Sequence, residues 1–89
     1  MISRRIQVHG RVQGVFFRAS TKEQADNLSL HGWVRNESDG SVLIEVSGEP
    51  KKITALMEWC KSGPRMADVE KITSSEISTV YSGGFLVTY

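Results

Sequence analysis

A single cysteine, two prolines and two histidines among 89 residues exclude several kinds of protein at once. One thiol cannot close an internal disulfide, and without a second cysteine or clustered histidines nothing in the chain reads as a zinc site. A reducing compartment fits, and the expected location is cytoplasmic. No long hydrophobic run is present either. Met1-Ile2-Ser3-Arg4-Arg5 leads straight into an alternating pattern, which leaves no stretch for a signal peptide or a membrane span. Charge of one sign is also missing: 11 basic and 10 acidic residues leave a formal net charge of +1. No broad field is available for a phosphate backbone or an anionic membrane, so neither nucleic acid nor membrane is an expected partner. Any anion binding must be local.

What is present is an ordinary globular composition, 39% hydrophobic and 24% charged. A chain of this length has room for one hydrophobic core, so residues 1–89 are expected to form a single domain that folds alone, as a monomer. Residues 4–10 alternate, with Ile6 and Val8 on one face and Arg5, Gln7 and His9 on the other, the period of a half-buried strand. Over residues 17–30, Phe17, Thr21, Ala25 and Leu28 recur every three or four positions, which predicts an amphipathic helix with Gly32 as its stop. Residues 33–36 read as a second strand, Asp39-Gly40 as a hairpin turn, and residues 41–47 as a third strand with Val42, Ile44 and Val46 inward.

Pro50 suits the first turn of a second helix, whose apolar face is Ile53, Leu56, Met57 and Cys60 and whose end is Gly63-Pro64. Residues 69–79 carry a fainter strand pattern, and Phe85, Val87 and Tyr89 alternate after Gly83-Gly84. The order βαββαβ plus a short C-terminal strand predicts an α+β, ferredoxin-like sandwich, with two helices on one face of a mostly antiparallel sheet. That fold serves enzymes, RNA binders and regulatory modules alike, so function must be argued from a site.

The segment Gly10-Arg11-Val12-Gln13-Gly14-Val15-Phe16-Phe17-Arg18 joins the first strand to the first helix. Its two glycines let the backbone curl so that successive N–H groups point inward, and a helix start adds partial positive charge and unpaired donors. Both favour an anion. Arg18 sharpens the inference, because a cation in the first helical turn opposes the helix dipole at a cost of ~0.3–1 kcal/mol. A phosphate held by the planar guanidinium fork offsets that cost. The spacing taken alone favours a tight turn with a solvated arginine. The loop has neither the Gly-Lys-Ser/Thr ending of a nucleotide-binding loop nor the Gly-x-Gly-x-x-Gly dinucleotide pattern.

Cys60 followed by Arg65 falls one residue short of the spacing that cysteine phosphatases use, and it lies in the apolar stripe of the second helix, where a small buried hydrophobe is the better reading. Asn36, just before the hairpin turn, has an amide that donates and accepts and so can hold a water, although asparagine is also a common turn residue. Neither Arg18 nor Asn36 can give or take a proton readily at neutral pH, and no nucleophile-plus-base pair accompanies them. A phosphate monoester expels an alkoxide and needs help. An acyl phosphate expels a carboxylate whose conjugate acid has a pKa of roughly 4, so it departs unassisted.

Two stretches carry a family resemblance. Val8-His9-Gly10-Arg11-Val12-Gln13-Gly14-Val15-Phe16-Phe17-Arg18 resembles the first signature of the acylphosphatases, and Gly32-Trp33-Val34-Arg35-Asn36, followed by Gly40, Val42 and Gly48, resembles the second. The resemblance runs over essentially the whole chain. It implies a small free-standing hydrolase that splits acyl phosphates into carboxylate and inorganic phosphate, without a cofactor or a metal. It also implies that Arg18 binds the phosphate and Asn36 orients the attacking water, with backbone N–H groups of Gln13, Gly14, Val15, Phe16 and Phe17 completing the cradle. Similar domains occur at the N-terminus of larger hydrogenase-maturation proteins. Because Met1 opens the first strand and Tyr89 closes the last, the free-standing form is the expectation. Residues 73–82 resemble nothing diagnostic. The main alternative is a non-catalytic module that binds an anion or phosphoryl ligand on the same fold. RNA binding on the sheet face is disfavoured by the lack of an aromatic, basic strand motif.

Overall fold

The computed structural model describes residues 1–89 as seven elements: β1 (Ile2–Arg11), α1 (Phe17–Asn27), β2 (His31–Asn36), β3 (Val42–Gly48), α2 (Pro50–Cys60), β4 (Asp68–Glu76) and β5 (Phe85–Val87). The strands form one sheet in the order β4-β1-β3-β2-β5. Every pairing is antiparallel except β2 with β5, which is parallel. The expected ferredoxin-like arrangement is therefore present, with its extra strand on the β2 edge.

The period-two faces of the strands and the stripes of the helices meet in one core. Ile6, Val8, Val34, Val42, Ile44 and Val46 from the sheet pack with Phe17, Ala25, Ile53, Leu56 and Cys60 from the helices, all of them buried. Burial pushes the Cys60 thiol up to about 12, so it stays protonated and serves as a small hydrophobe. Strand β3 occupies the centre and is buried on both faces along its whole length. Its outward set includes Glu45 and Ser47, and residues 77–84 cross this side on their way from one sheet edge to the other. Tyr81 ties that crossing down, its N–H donating to Ser47 Oγ at 2.8 Å and its hydroxyl to Glu45 Oε1 at 2.5 Å.

Helix α1 is shorter than its sequence period suggests. It stops at Asn27, Ser29 turns left-handed (φ 56°), and the Leu30 N–H donates back to the Ala25 carbonyl at 2.9 Å, closing a Schellman-type end. Ser29, and not Gly32, provides the stop. Leu30 is the physical reason, since the turn drops its side chain into the core. Gly32 lies inside β2, where a Cβ would sit 1.9 Å from the Glu45 carbonyl oxygen. Strand β5 also ends earlier than the alternation of Phe85, Val87 and Tyr89 implies, at Val87.

Candidate functional site

The loop between β1 and α1 is built from residues 12–16, and its two neighbouring glycines have separate tasks. Gly10 lies within β1 at a bulge in the pairing with β4, where a Cβ would fall 2.3 Å from the Asp68 carbonyl oxygen. Only Gly14 (φ 74°) belongs to the curl itself. The second left-handed residue there is Phe16 (φ 65°, ψ 22°), which occupies the cap position of α1 without any side-chain cap bond. A bulky residue in this conformation costs about 1–2 kcal/mol, so the loop is held against a local preference.

One consequence is a run of free donors. None of the backbone N–H groups of residues 13–19 donates to another protein group; the first bond of the helix is Ser20 N–H to the Phe16 carbonyl at 3.0 Å. An ordinary helix start leaves four such groups. Here the loop adds its own, and no acidic side chain in the first turn faces them.

The loop is pinned across the sheet. Gln13 Nε2 donates to the carbonyl oxygens of Glu37 at 2.8 Å and Ser41 at 3.0 Å, which ties the curl to the β2–β3 turn. The turn itself is fixed by Asp39, whose carboxylate accepts from the Ser41 hydroxyl at 2.6 Å and the Ser41 N–H at 2.9 Å. The hydroxyl bond, with the N–H bond behind it, holds the Asp39 carboxyl below its ordinary value. Asn36, the last residue of β2, is thereby set beside the loop.

Arg18 is half-buried in the first turn of α1. Its NH1 donates to the Thr88 carbonyl oxygen at 3.2 Å, and its guanidinium lies 4.6 Å from the centre of the Tyr89 ring. No carboxylate lies within ion-pairing distance of it. Thr88 is held in turn by its N–H to the Val34 carbonyl at 2.8 Å, so β2 supports both Asn36 and the residue that steadies Arg18.

Arg18, Asn36, Gly14, Phe16 and Phe17 line one cleft of about 330 Å³, together with Val12, Ala19, Val87 and Tyr89. Of the residues singled out from sequence, Gln13 and Val15 do not line it: the Gln13 side chain turns to the hairpin and Val15 packs into the core. Arg18 is the only charged side chain in the lining, which holds no acidic side chain, histidine or thiol. The arrangement can accept a compact anion at the N–H array while an amide faces it. Thr88, Tyr89 and the side-chain role of Gln13 are not apparent from sequence. Thr88 and Tyr89 lie about seventy positions from Arg18, and no local pattern marks them.

The chain is similar to several known proteins. The family model described as Acylphosphatase matches residues 4–87. An acylphosphatase of Thiobacillus denitrificans is 47% identical over 78 residues, covering 88% of each chain. One from Pseudomonas aeruginosa is 45% identical over 80 residues, covering 90% of this chain and 88% of its own. Among solved structures, an acylphosphatase from Bacillus subtilis superposes with a TM-score of 0.95 at 36% identity, with both chains fully covered. Full-length HypF in its phosphate- and nucleotide-bound form matches 99% of this chain with 12% of its own, at a TM-score of 0.91 and 31% identity.

Proposed function

The chain belongs to the acylphosphatase family, hydrolases that act on acyl phosphates, and from that premise we propose how its own residues carry out the reaction. The phosphoryl group sits in the curl of the β1–α1 loop, its oxygens taking the backbone N–H groups of Gln13, Gly14, Val15, Phe16 and Phe17 and the guanidinium of Arg18. The amide of Asn36 holds a water in line with the bridging oxygen. The observation that carries this reading is the unbroken run of unpaired N–H donors over residues 13–19, beside a cleft whose only charged side chain is a cation without a carboxylate partner.

Fixed donors around the phosphoryl oxygens favour the transition state because they need no reorientation as charge shifts onto those oxygens and the leaving group. Water oxygen bonds to phosphorus and the phosphorus–carboxyl oxygen bond breaks. The electron pair leaves with the carboxylate, a group whose conjugate acid has a pKa of roughly 4, so no general acid is required. One proton stays on the water oxygen, now bonded to phosphorus, and the other passes to a phosphoryl oxygen, which gives dihydrogen phosphate. In this reading the reaction proceeds without a metal ion. We read the protein as cytoplasmic, a reading with which its free Cys60 thiol fits, and as a monomer; no helix is long and apolar enough to cross a membrane.

The test is turnover of benzoyl phosphate and of a phosphate monoester with excess chelator present. Hydrolysis of the acyl phosphate alone, unchanged by chelation, is expected. Asn36→Ala should lower kcat by about 10²-fold while largely sparing competitive inhibition by inorganic phosphate. Binding of phosphate with no turnover in the wild type would instead favour a non-catalytic module.

A further inference from the structure

Phe16 is a large aromatic residue that remains 77% exposed at the mouth of the cleft, on a left-handed backbone that disfavours any bulky side chain. It stacks on no other ring, whereas Phe17 beside it is buried against Trp59 at 5.4 Å. The loop needs a left-handed residue at this position, which a glycine could supply without strain, so the backbone geometry has no use for the ring. Nor does a phosphoryl group, which is served by N–H donors and by Arg18. Across the same cleft stands Tyr89, almost fully exposed, with Val12, Ala19 and Val87 completing an apolar lining. The polar donors thus share the cleft with apolar groups, of which the Phe16 ring is left uncovered.

We propose that Phe16 is a specificity-determining residue, which together with Tyr89 grips the acyl portion of the substrate and directs the enzyme toward acyl phosphates with an aromatic or bulky apolar acyl group over acetyl phosphate. This rests on the hydrolytic reading above. Once the phosphoryl group is seated in the loop, the acyl portion projects toward the cleft mouth, where removing apolar surface from water favours a large acyl group and gives little to a methyl. A phenyl face against Phe16 adds an offset-stacked or edge-to-face contact.

The experiment compares kcat/KM for benzoyl and acetyl phosphate in the wild type, Phe16→Ala, Phe16→Gly and Phe16→Tyr. Inhibition constants for phenylphosphonate and methylphosphonate are measured alongside. Taking each variant's benzoyl-to-acetyl ratio relative to wild type cancels both intrinsic substrate reactivity and any general disturbance of the loop. The ratio should fall about three- to tenfold in Phe16→Ala and Phe16→Gly and be retained in Phe16→Tyr. Phenylphosphonate should lose its advantage over methylphosphonate in the same two variants. Phe16→Gly removes the ring while relieving the backbone, so it keeps the test open if Phe16→Ala folds poorly. A ratio unchanged within twofold in folded Phe16→Gly overturns the proposal and leaves the hydrolase standing. Wild-type protein that turns over neither acyl phosphate overturns the hydrolytic reading and this inference with it.

Discussion

Arg5 in β1 donates through Nε to Glu45 at 2.6 Å and forms an ion pair with the same carboxylate, which the Tyr81 hydroxyl also reaches at 2.5 Å. Arg18, on the other side of the sheet, has one carbonyl and one aromatic ring and no carboxylate at all. The same guanidinium is used in two ways. Arg5 is committed to the fold: it compensates a buried Glu45 that would otherwise be a charge without a partner. Arg18 is oriented but not neutralised, so its remaining donors and its full charge are free for a ligand. A cation held by neutral groups beside unpaired N–H donors is the one we propose for binding, and a cation already matched by a buried carboxylate belongs to the fold.

The contrast can be broken most sharply at Arg18. Arg18→Ala should lower kcat/KM on benzoyl phosphate by at least ~10²-fold and abolish competitive inhibition by inorganic phosphate, measured by steady-state kinetics. Its urea midpoint should hardly move. Arg5→Ala should do the reverse, costing about 1–2 kcal/mol of stability in urea unfolding while kcat/KM stays near wild type; half of the Arg5 side chain is in water, which keeps the figure modest. If Arg5→Ala lost activity without losing stability, the division of labour between the two arginines would be wrong.

Gln13→Ala tests the coupling of the loop that precedes Arg18 to Asn36, since its two bonds align that loop with the hairpin that carries Asn36. A fall of about three- to tenfold in kcat/KM is expected, with phosphate inhibition weakened less. The smallest effect concerns pH. Burial opposes the charge of Glu45, but the bonds from Tyr81 and Arg5 outweigh it, so its carboxyl titrates below the unfolded value of 4.5. Its contribution to stability is therefore complete above that pH and disappears as pH falls through the folded value. The Glu45 bond holds Tyr81 above 10.0, so the neutral phenol's contribution is complete below that pH and fades as pH rises through its folded value. The gap in urea midpoint between wild type and Glu45→Gln should accordingly narrow between pH 7 and pH 3.

Much of this was legible in the residues, for reasons that the two arginines illustrate. The alternation of Ile6 with Val8 and of Val42, Ile44 and Val46 is a local signal, and it predicts strands whose inward residues are buried in the structure. Arg18 and Asn36 stand out because their neighbourhoods in sequence are distinctive, and the structure lines one cleft with both. The end of α1 was misplaced because a serine can adopt a left-handed turn when burial of Leu30 demands it, which no propensity anticipates. The role of Tyr81 is hidden in the sequence for a different reason. Tyr81 matters through Glu45 and Ser47, which are 36 and 34 positions away, and a single polar residue meeting distant partners leaves no period in the sequence.

The bond from Arg18 to Thr88 spans 70 positions, nearly the length of the chain. Contacts so remote along the chain carry a large closure entropy, and Thr88 is seated only when β5 has docked on the outer edge of β2. Recovery of catalysis after dilution from denaturant should therefore require docking of β5 on β2, and a chain that held β1, β3 and both helices without it would be catalytically silent.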